Sequence, residues 1–418
     1  MKKSSKVTRI LANTFLLAFM FLMSCSKDDG PDPVPEKETL ILTPSSTVVS
    51  DGAIVQFAVA VNNVVVDDAI IYVDGVAIAN DQHTFFEPGT YSVVAKKEGF
   101  ADSKAVTITV NKDLVDVYVA GSEYVDGVEQ ATYWKNGVAH HLTSGTTSAR
   151  AYKVIVRGAD VYVLVEVGYR AIKYWKNDEE HLIYSQDNAD VYARDMFVSD
   201  NGDVYIAGAS TEKNGNLGAK YWKNGVMTKL VHNTISTATG IAVNGNDVYV
   251  SGYSMLNNTD DMPIAVYWKN GVAFPLSDGT VRTMTSKIAV SGNDVHITGN
   301  VADGTAKQWL AKYWKNGEET NLVNGQEAND IFIDGTDVYI TGRQGGVKYW
   351  KNGVPFEIPG GSFIYGITVL DDTVYTVGTT WNSETNVTKA VYWKNTTRYE
   401  LSEGTQYPNA NSIAVVAH

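Results

Sequence analysis

The chain of 418 residues carries 34 basic and 47 acidic side chains, for a formal charge of −13, and is 44% hydrophobic and 19% charged. With 36 glycines, 24 tyrosines and nine tryptophans this is a folded, strand-prone composition, which argues against disorder and against an all-helical bundle. The acidic balance lacks the footprint that grips phosphate backbones, so no nucleic-acid partner is expected. A single cysteine, Cys25, excludes an intrachain disulfide framework and a Cys-rich zinc site.

The chain opens on a basic cluster, Lys2, Lys3, Lys6 and Arg9, followed by an apolar run from Ile10 to Met23 that is short for a mature membrane span. Leu22-Met23-Ser24-Cys25 resembles the bacterial lipobox. The resemblance implies cleavage before Cys25 and acylation of that residue, making residues 1–24 a signal peptide and the acyl chains a firm membrane anchor. Ser26-Lys27-Asp28-Asp29 resembles the acidic export signal of Bacteroidota surface lipoproteins. It implies an outer-membrane protein exposed at the cell surface, with a periplasm-facing orientation as the alternative. Gly30-Pro31-Asp32-Pro33-Val34-Pro35 continues this as an extended tether, residues 25–38 in all.

Residues 39–112 read as a small β-sandwich. Ile54–Val59 and Ala69–Val73 are strand-like runs, and Asp74-Gly75 marks a hairpin. Pro88–Ala95, Gly99 and Ala105–Val110 resemble the closing strands of bacterial immunoglobulin-like domains. With one histidine, His83, and no clustered catalytic groups, the domain is expected to act as a stalk.

Residues 113–418 repeat. Tyr-Trp-Lys-Asn recurs at Tyr133, Tyr174, Tyr221, Tyr267, Tyr313, Tyr349 and Tyr392, at spacings of 36 to 47 residues that suit a four-stranded propeller blade. Asp-Val-Tyr recurs at Asp116, Asp160, Asp203, Asp247 and Asp337, with Asp294-Val295-His296 and Thr373-Val374-Tyr375 as variants. A short apolar strand precedes it six times, from Val154–Val156 to Ile367–Val369, and a seventh copy, Ile413–Val415, stands near the C-terminus. The first repeat lacks this strand and the last copy lacks a follower, so pairing Ile413–Val416 with Val117–Ala120 would close a ring and satisfy both free edges. The expected fold is therefore all-β: an immunoglobulin-like sandwich followed by a seven-bladed β-propeller closed by the C-terminal strand. The repeats resemble the Tyr-Trp-Lys-Asn-Gly propellers of Bacteroidota lipoproteins, a likeness that implies no particular reaction.

Within each repeat, Asn-Gly supplies the two left-handed residues of a type I′ hairpin, and Asn177-Asp178 and Asn395-Thr396 are expected to turn differently. The adjacent Tyr and Trp point to opposite faces and serve as inter-blade wedges rather than sugar platforms. The repeated Asp is expected to accept hydrogen bonds from turn amides. His140-His141 and Glu179-Glu180-His181 fall on outer strands and read as surface groups, so neither a metal nor a cofactor is expected. No nucleophile elbow, P-loop, His-Glu-x-x-His or calcium loop is found.

Function is sought where the repeats differ. The residues entering the inner strands are polar and varied: Tyr152-Lys153, Arg194-Asp195, Ser286-Lys287, Asn329-Asp330, Tyr365-Gly366 and Asn411-Ser412. Lys153 with Asp195, and Lys287 with Asp330, are one repeat apart and read as inter-blade ion pairs. Tyr152, Arg194, Asn329 and Tyr365 have no such partner and are candidate ligand contacts at the channel mouth, on the rim that carries the variable loops. Trp309 and Trp381, in or beside those loops, are the candidates for a site farther out. Two readings follow. One is a non-enzymatic, lipid-anchored, monomeric binding module for a polysaccharide or protein; the other is a carbohydrate-active hydrolase or lyase acting at the channel mouth. The Cys25→Ala protein should lose labelling by a fatty-acid probe in cells, and persistent labelling would rule the anchor out.

Overall fold

A computed structural model describes residues 37–85, 87–112, 115–231, 235–255, 262–303, 308–402 and 407–417. The expected signal peptide, the lipobox-like stretch with Cys25 and nearly all of the expected tether lie outside the described residues. Among those described, every regular element is a β-strand.

The N-terminal part is two sheets around one core. One joins Ile41–Pro44, Ala53–Val61, Val64–Val65 and Gln82–Phe85; the other joins Val48–Ser50, Val106–Asn111, Gly89–Lys96, Ile70–Val73 and Val76–Ala77. Alternation along Ala53–Val61 sends Val55, Phe57 and Val59 inward to meet Ile71, Val93 and Ile108. Asp74 and Gly75 take φ of 48° and 82°, the left-handed pair a tight hairpin demands. The sandwich is not a free stalk. Ala53 is fully buried in a cluster with Val117, Tyr375, Tyr399 and Leu401 of the C-terminal part, and a Cβ at Gly52 would stand 3.2 Å from the Tyr399 ring.

Seven four-stranded antiparallel sheets follow. The second to seventh are consecutive meanders, led by inner strands Ala149–Arg157, Val191–Val198, Ser236–Asn244, Thr283–Ser291, Glu327–Asp334 and Phe363–Leu370. The first is composite: Val115–Val125, Val128–Lys135 and Val138–His141 come from its own repeat, and its inner strand is Asn409–Ala417. Val117 pairs with Val415 and Val119 with Ile413. Successive inner strands lie side by side, and Asn409–Ala417 lies against both Phe363–Leu370 and Ala149–Arg157, so the sheets form a ring.

The repeat residues explain the ring. The repeat tryptophans are buried, six of them completely, and each packs on the preceding sheet: Trp222 on Leu164 and Ile172, Trp268 on Ala207 and Ala219, Trp350 on Ala311 and Leu322. Trp134 of the first sheet packs on Val377 and Ala390 of the seventh, so the same contact spans the closure. The adjacent Tyr faces the other way, and in five sheets it stacks on the outer strand, on His140, His181, Phe274, Phe356 or Tyr399, with centroids 4.6–5.1 Å apart. His140 and His181 are thus cross-strand ring partners. Among the described residues no three His, Asp or Glu groups gather as metal ligands.

Lys-Asn and Asp-Val-Tyr form a clasp between the second and third strands. In all seven sheets the Asn side-chain oxygen accepts the amide after the Asp or Thr, at 2.8–3.1 Å. In six, Asn Nδ2 donates to the Asp carboxylate at 2.6–2.8 Å, and the preceding Lys reaches its other oxygen at 2.7–2.9 Å. The Asp therefore accepts from side chains, not from turn amides as expected, and Lys269 with Asn270 holds Asp247 below the usual carboxylate range. The same Lys lies over the Tyr ring of Asp-Val-Tyr at 5.0–5.9 Å in six sheets. In the fifth, His296 replaces that Tyr and its Nδ1 lies 2.6 Å from the Tyr313 hydroxyl.

Two expectations about turns are corrected. Asn177-Asp178 adopts φ of 48° and 70°, the same left-handed pair as Asn-Gly, because Asp tolerates that region. Trp381, expected in or beside a variable loop, stands instead where strands run on: Thr373–Asn382 and Val387–Lys394 pair to their ends, Asn382 opposite Val387. Trp381 lies within the first of these strands, and Trp309 begins Trp309–Lys315.

Two stability outcomes are expected. Deleting residues 412–418 removes the inner strand of the first sheet and should lower the melting temperature by on the order of 10 °C and cause aggregation, read by calorimetry and light scattering. Asn270→Ala leaves the Val248 amide without its acceptor and puts Ala at φ 52°, so denaturant titration should show a loss of about 1–3 kcal/mol. Asp247→Ala should cost less, because its partners are exposed.

Candidate functional site

Each inner strand carries a β-bulge where it enters the ring, marked by register shifts at Ala151/Lys153, Ala193/Asp195, Ala238/Gly240, Thr285/Ile288, Ala328/Ile331, Ile364/Gly366 and opposite Ala120/Gly121. A bulge re-aims the side chains beside it. The first bulge position holds Tyr152, Arg194, Thr239, Ser286, Asn329, Tyr365 and Asn411, and the second Lys153, Asp195, Gly240, Lys287, Asp330, Gly366 and Ser412. Thr239-Gly240, absent from the sequence reading, is the seventh member. A repeated second-strand glycine was the available signal: at Gly208, opposite the bulge of the third sheet, a Cβ would stand 2.0 Å from the Tyr192 carbonyl oxygen.

The second bulge position faces the next sheet. Asp195 Oδ2 accepts the Ile241 amide at 3.2 Å, Asp330 Oδ2 the Ile367 amide at 3.1 Å and Ser412 Oγ the Val154 amide at 3.3 Å. Where the residue is Gly there is no room for more: a Cβ on Gly240 would meet Ile288 N at 2.9 Å and Lys287 Cα at 3.0 Å. The expected ion pairs are partly redrawn. Lys153 Nζ stands 3.8 Å from Asp195 Oδ1, but Lys287 reaches back past Gly240 to the same oxygen at 3.2 Å and donates to the Arg194 carbonyl at 2.9 Å. Asp195 therefore gathers both lysines because glycine leaves the intervening position open.

This quartet divides the axis of the ring. A cavity of about 470 Å³ runs from Lys153, Asp195, Lys287 and Asp330 towards the Arg157 end of the inner strands, walled by Ile155, Phe197, Val243, Val290, Phe332 and Val415 among others. Tyr152, Arg194, Asn329 and Tyr365 do not line it. They sit beyond the quartet, on the rim that carries the second-to-third-strand turns and the connections between sheets.

On that rim the first to third sheets build a compact polar and aromatic cluster. Arg194 does have partners, contrary to expectation: Glu166 Oε2 of the previous sheet at 3.6 Å, and the rings of Tyr192 and Tyr152 at 4.9 and 5.6 Å. Glu166 is buried, accepts the Ala193 amide at 2.9 Å, and is pushed above the ordinary carboxyl range by that burial. Beside it Arg150 Nε and Ser122 Oγ each donate to Glu129 Oε1 at 2.7 Å. Burial also raises the Tyr152 and Tyr365 hydroxyls. Tyr169 stands at the edge of this cluster, 53% exposed and at φ 56°, its ring edge-on to Tyr192.

The other candidates are placed apart. Asn329 Nδ2 donates to the Ile364 carbonyl at 2.7 Å, and Asn411 Nδ2 donates to the Ala151 carbonyl at 2.8 Å, so both amides tie neighbouring sheets together. Tyr365 stacks parallel to Phe363, itself under the Arg343 guanidinium that pairs with Glu327. Trp381 is exposed on the seventh sheet, its indole nitrogen 3.3 Å from Asn386 Oδ1, and Trp309 lies half-buried on the fifth.

No protein-family model and no curated protein matches the chain. Among solved structures it is similar to the β-propeller domain of the trilobed protease from Pyrococcus furiosus, at 11% identity over 87% of this chain and 98% of that one, with a TM-score of 0.41. It is also similar to an auxiliary nutrient binding protein from Bacteroides thetaiotaomicron, at 11% identity, 88% and 97% coverage and a TM-score of 0.36. An oligogalacturonate lyase in complex with manganese gives 8% identity, 72% and 86% coverage and a TM-score of 0.43. The first of these is named a β-propeller domain, and none of the three brings a ligand or a reaction to this chain.

Proposed function

We propose that this chain is a lipid-anchored surface protein whose seven sheets are the blades of a closed propeller, carried with an immunoglobulin-like domain, and that it binds an oligosaccharide without cleaving it. The contact surface is the loop-bearing rim at the first to third sheets. Tyr169 carries the reading: its backbone is held at φ 56° in the turn after Val167, with its carbonyl accepting the Val191 amide, and this leaves its ring 53% exposed beside Tyr192, an aromatic face that packing between the sheets does not use. Beside it the rings of Tyr192 and Tyr152 and the guanidiniums of Arg150 and Arg194 supply stacking faces and fixed donors, the combination that a sugar ring uses. Each Arg is paired with a buried Glu, so the surface is locally neutral and suits a polar, uncharged ligand. The anchor rests on Leu22–Cys25, and surface exposure on Lys27-Asp28-Asp29.

One observation favours a hydrolase as the second reading: Glu166, a buried carboxyl raised towards the protonated form, lies in the same network as Glu129. Paired carboxyls of unlike environment are what glycoside hydrolysis requires. A glycan array and product analysis on the same polysaccharides separate the two. Retention without shortened products is expected, and release of products would favour the hydrolase. For a retained glycan, Tyr169→Ala and Arg194→Ala should each weaken binding about tenfold or more with little change in melting temperature. Unchanged affinity in both, with loss in Trp309→Ala or Trp381→Ala, would move the site to the outer strands.

A further inference from the structure

The axial cavity lies on the far side of the Lys–Asp quartet from the rim, and the oligosaccharide reading makes no use of it. Its volume of about 470 Å³ falls within the range of small-molecule sites, roughly 300–1,000 Å³. Its walls carry Ile155, Met196, Phe197 and Phe332 together with Arg157 and Thr368, while its floor is charged.

The floor is unevenly satisfied. Asp330 accepts the Ile331 and Ile367 amides at 2.9 and 3.1 Å, and Asp195 takes the Ile241 amide on Oδ2, while its Oδ1 has Lys287 at 3.2 Å as an ion-pair neighbour but no hydrogen bond. Lys287 spends its ammonium on the Arg194 carbonyl and Asp195. Lys153 does not. Its nearest oxygen is Asp195 Oδ1 at 3.8 Å, beyond hydrogen-bond reach, so an ammonium with three donors faces the cavity floor with none of them used. Burial pulls its pKa down, but Asp195 and Asp330 outweigh it and leave Lys153 above the ordinary lysine value, hence protonated at neutral pH.

Lys153 thus lacks an acceptor within reach, since the free Asp195 Oδ1 stands 3.8 Å away. We propose that the axial cavity binds a small monocarboxylate with an apolar body, its oxyanion hydrogen-bonded to Lys153 and its body against Ile155, Phe197 and Phe332. The donor for that charge is the Lys153 ammonium, which makes no hydrogen bond of its own, and no more than one charge can be held, because the quartet is formally neutral and a second would face both aspartates unopposed. The low-dielectric wall strengthens the one charge-assisted bond and supplies the hydrophobic gain for the body.

The test uses octanoate as the probe, with octanol as the same tail without charge and acetate as the same head without tail. Calorimetry should show octanoate binding, with octanol and acetate each about tenfold weaker or more, since each lacks one of the two interactions. Lys153→Gln should weaken octanoate by about tenfold, and Lys153→Arg should keep most of the affinity. Equal binding of acetate and octanoate would reduce the site to an anion trap, and equal binding of octanol would remove the role of Lys153. No octanoate binding, or unchanged affinity in Lys153→Gln, would overturn the proposal. Should Lys153→Gln not fold, a crystal structure with octanoate answers the same question: carboxylate density at Lys153 Nζ supports it, and density elsewhere overturns it. The glycan experiments on the rim neither require nor exclude any of these results.

Discussion

The ring depends on one contact made seven times: a buried tryptophan on the third strand of each sheet lying against the sheet before it. A large ring buried this way contributes about 1.5–3 kcal/mol through the hydrophobic effect, and more through its contacts. Because Trp134 makes that contact with the seventh sheet, the last interface is built from the same parts as the other six. The C-terminal strand then completes the first sheet by backbone pairing, which removes the two free edges that an open array would leave.

The aromatic wedge fixes the spacing between sheets, and a second repeated device fixes each sheet within itself. The Asp–Asn–Lys clasp joins the start of the second strand to the end of the third, with the Asn in the left-handed turn conformation that lets its side chain reach back. In the seventh sheet Thr373 stands in the Asp position, yet Asn395 still accepts the Val374 amide at 3.1 Å. The amide contact is thus the common element, and the carboxylate and ammonium add to it. Both devices use residues that recur around the ring, and both are fully occupied by structure.

Chemistry is left to the bulges. A bulge takes two positions per inner strand out of the alternation of the sheet, the second of them facing the next sheet, and at these positions the sevenfold pattern breaks. On the axis, Gly240 lets Lys287 reach Asp195, which leaves Lys153 as the donor without a hydrogen-bonded acceptor. On the rim, arginines over buried glutamates sit among tyrosines on one arc of the ring, while asparagines bridge sheets elsewhere. The proposed binding positions and the architectural ones are therefore different positions of the same repeat.

Much of this architecture is legible in the residue order. The Tyr-Trp-Lys-Asn and Asp-Val-Tyr markers and the apolar triplets locate the strands, and the displaced copy at Ile413 anticipates its pairing with Val117–Ala120, because periodicity and unpaired edges are properties of the chain itself. The neighbours of the bulge residues are not. Arg194 meets Glu166 and Lys287 meets Asp195 across sheets, at separations that depend on how far each sheet is rotated and on the missing side chain at Gly240. Tyr169 gives no sign in sequence that its carbonyl, in a turn with φ 56°, accepts the Val191 amide of the next sheet. Local pattern sets which strands form and in what order; the partners of a re-aimed side chain are set only when seven sheets are packed around one axis.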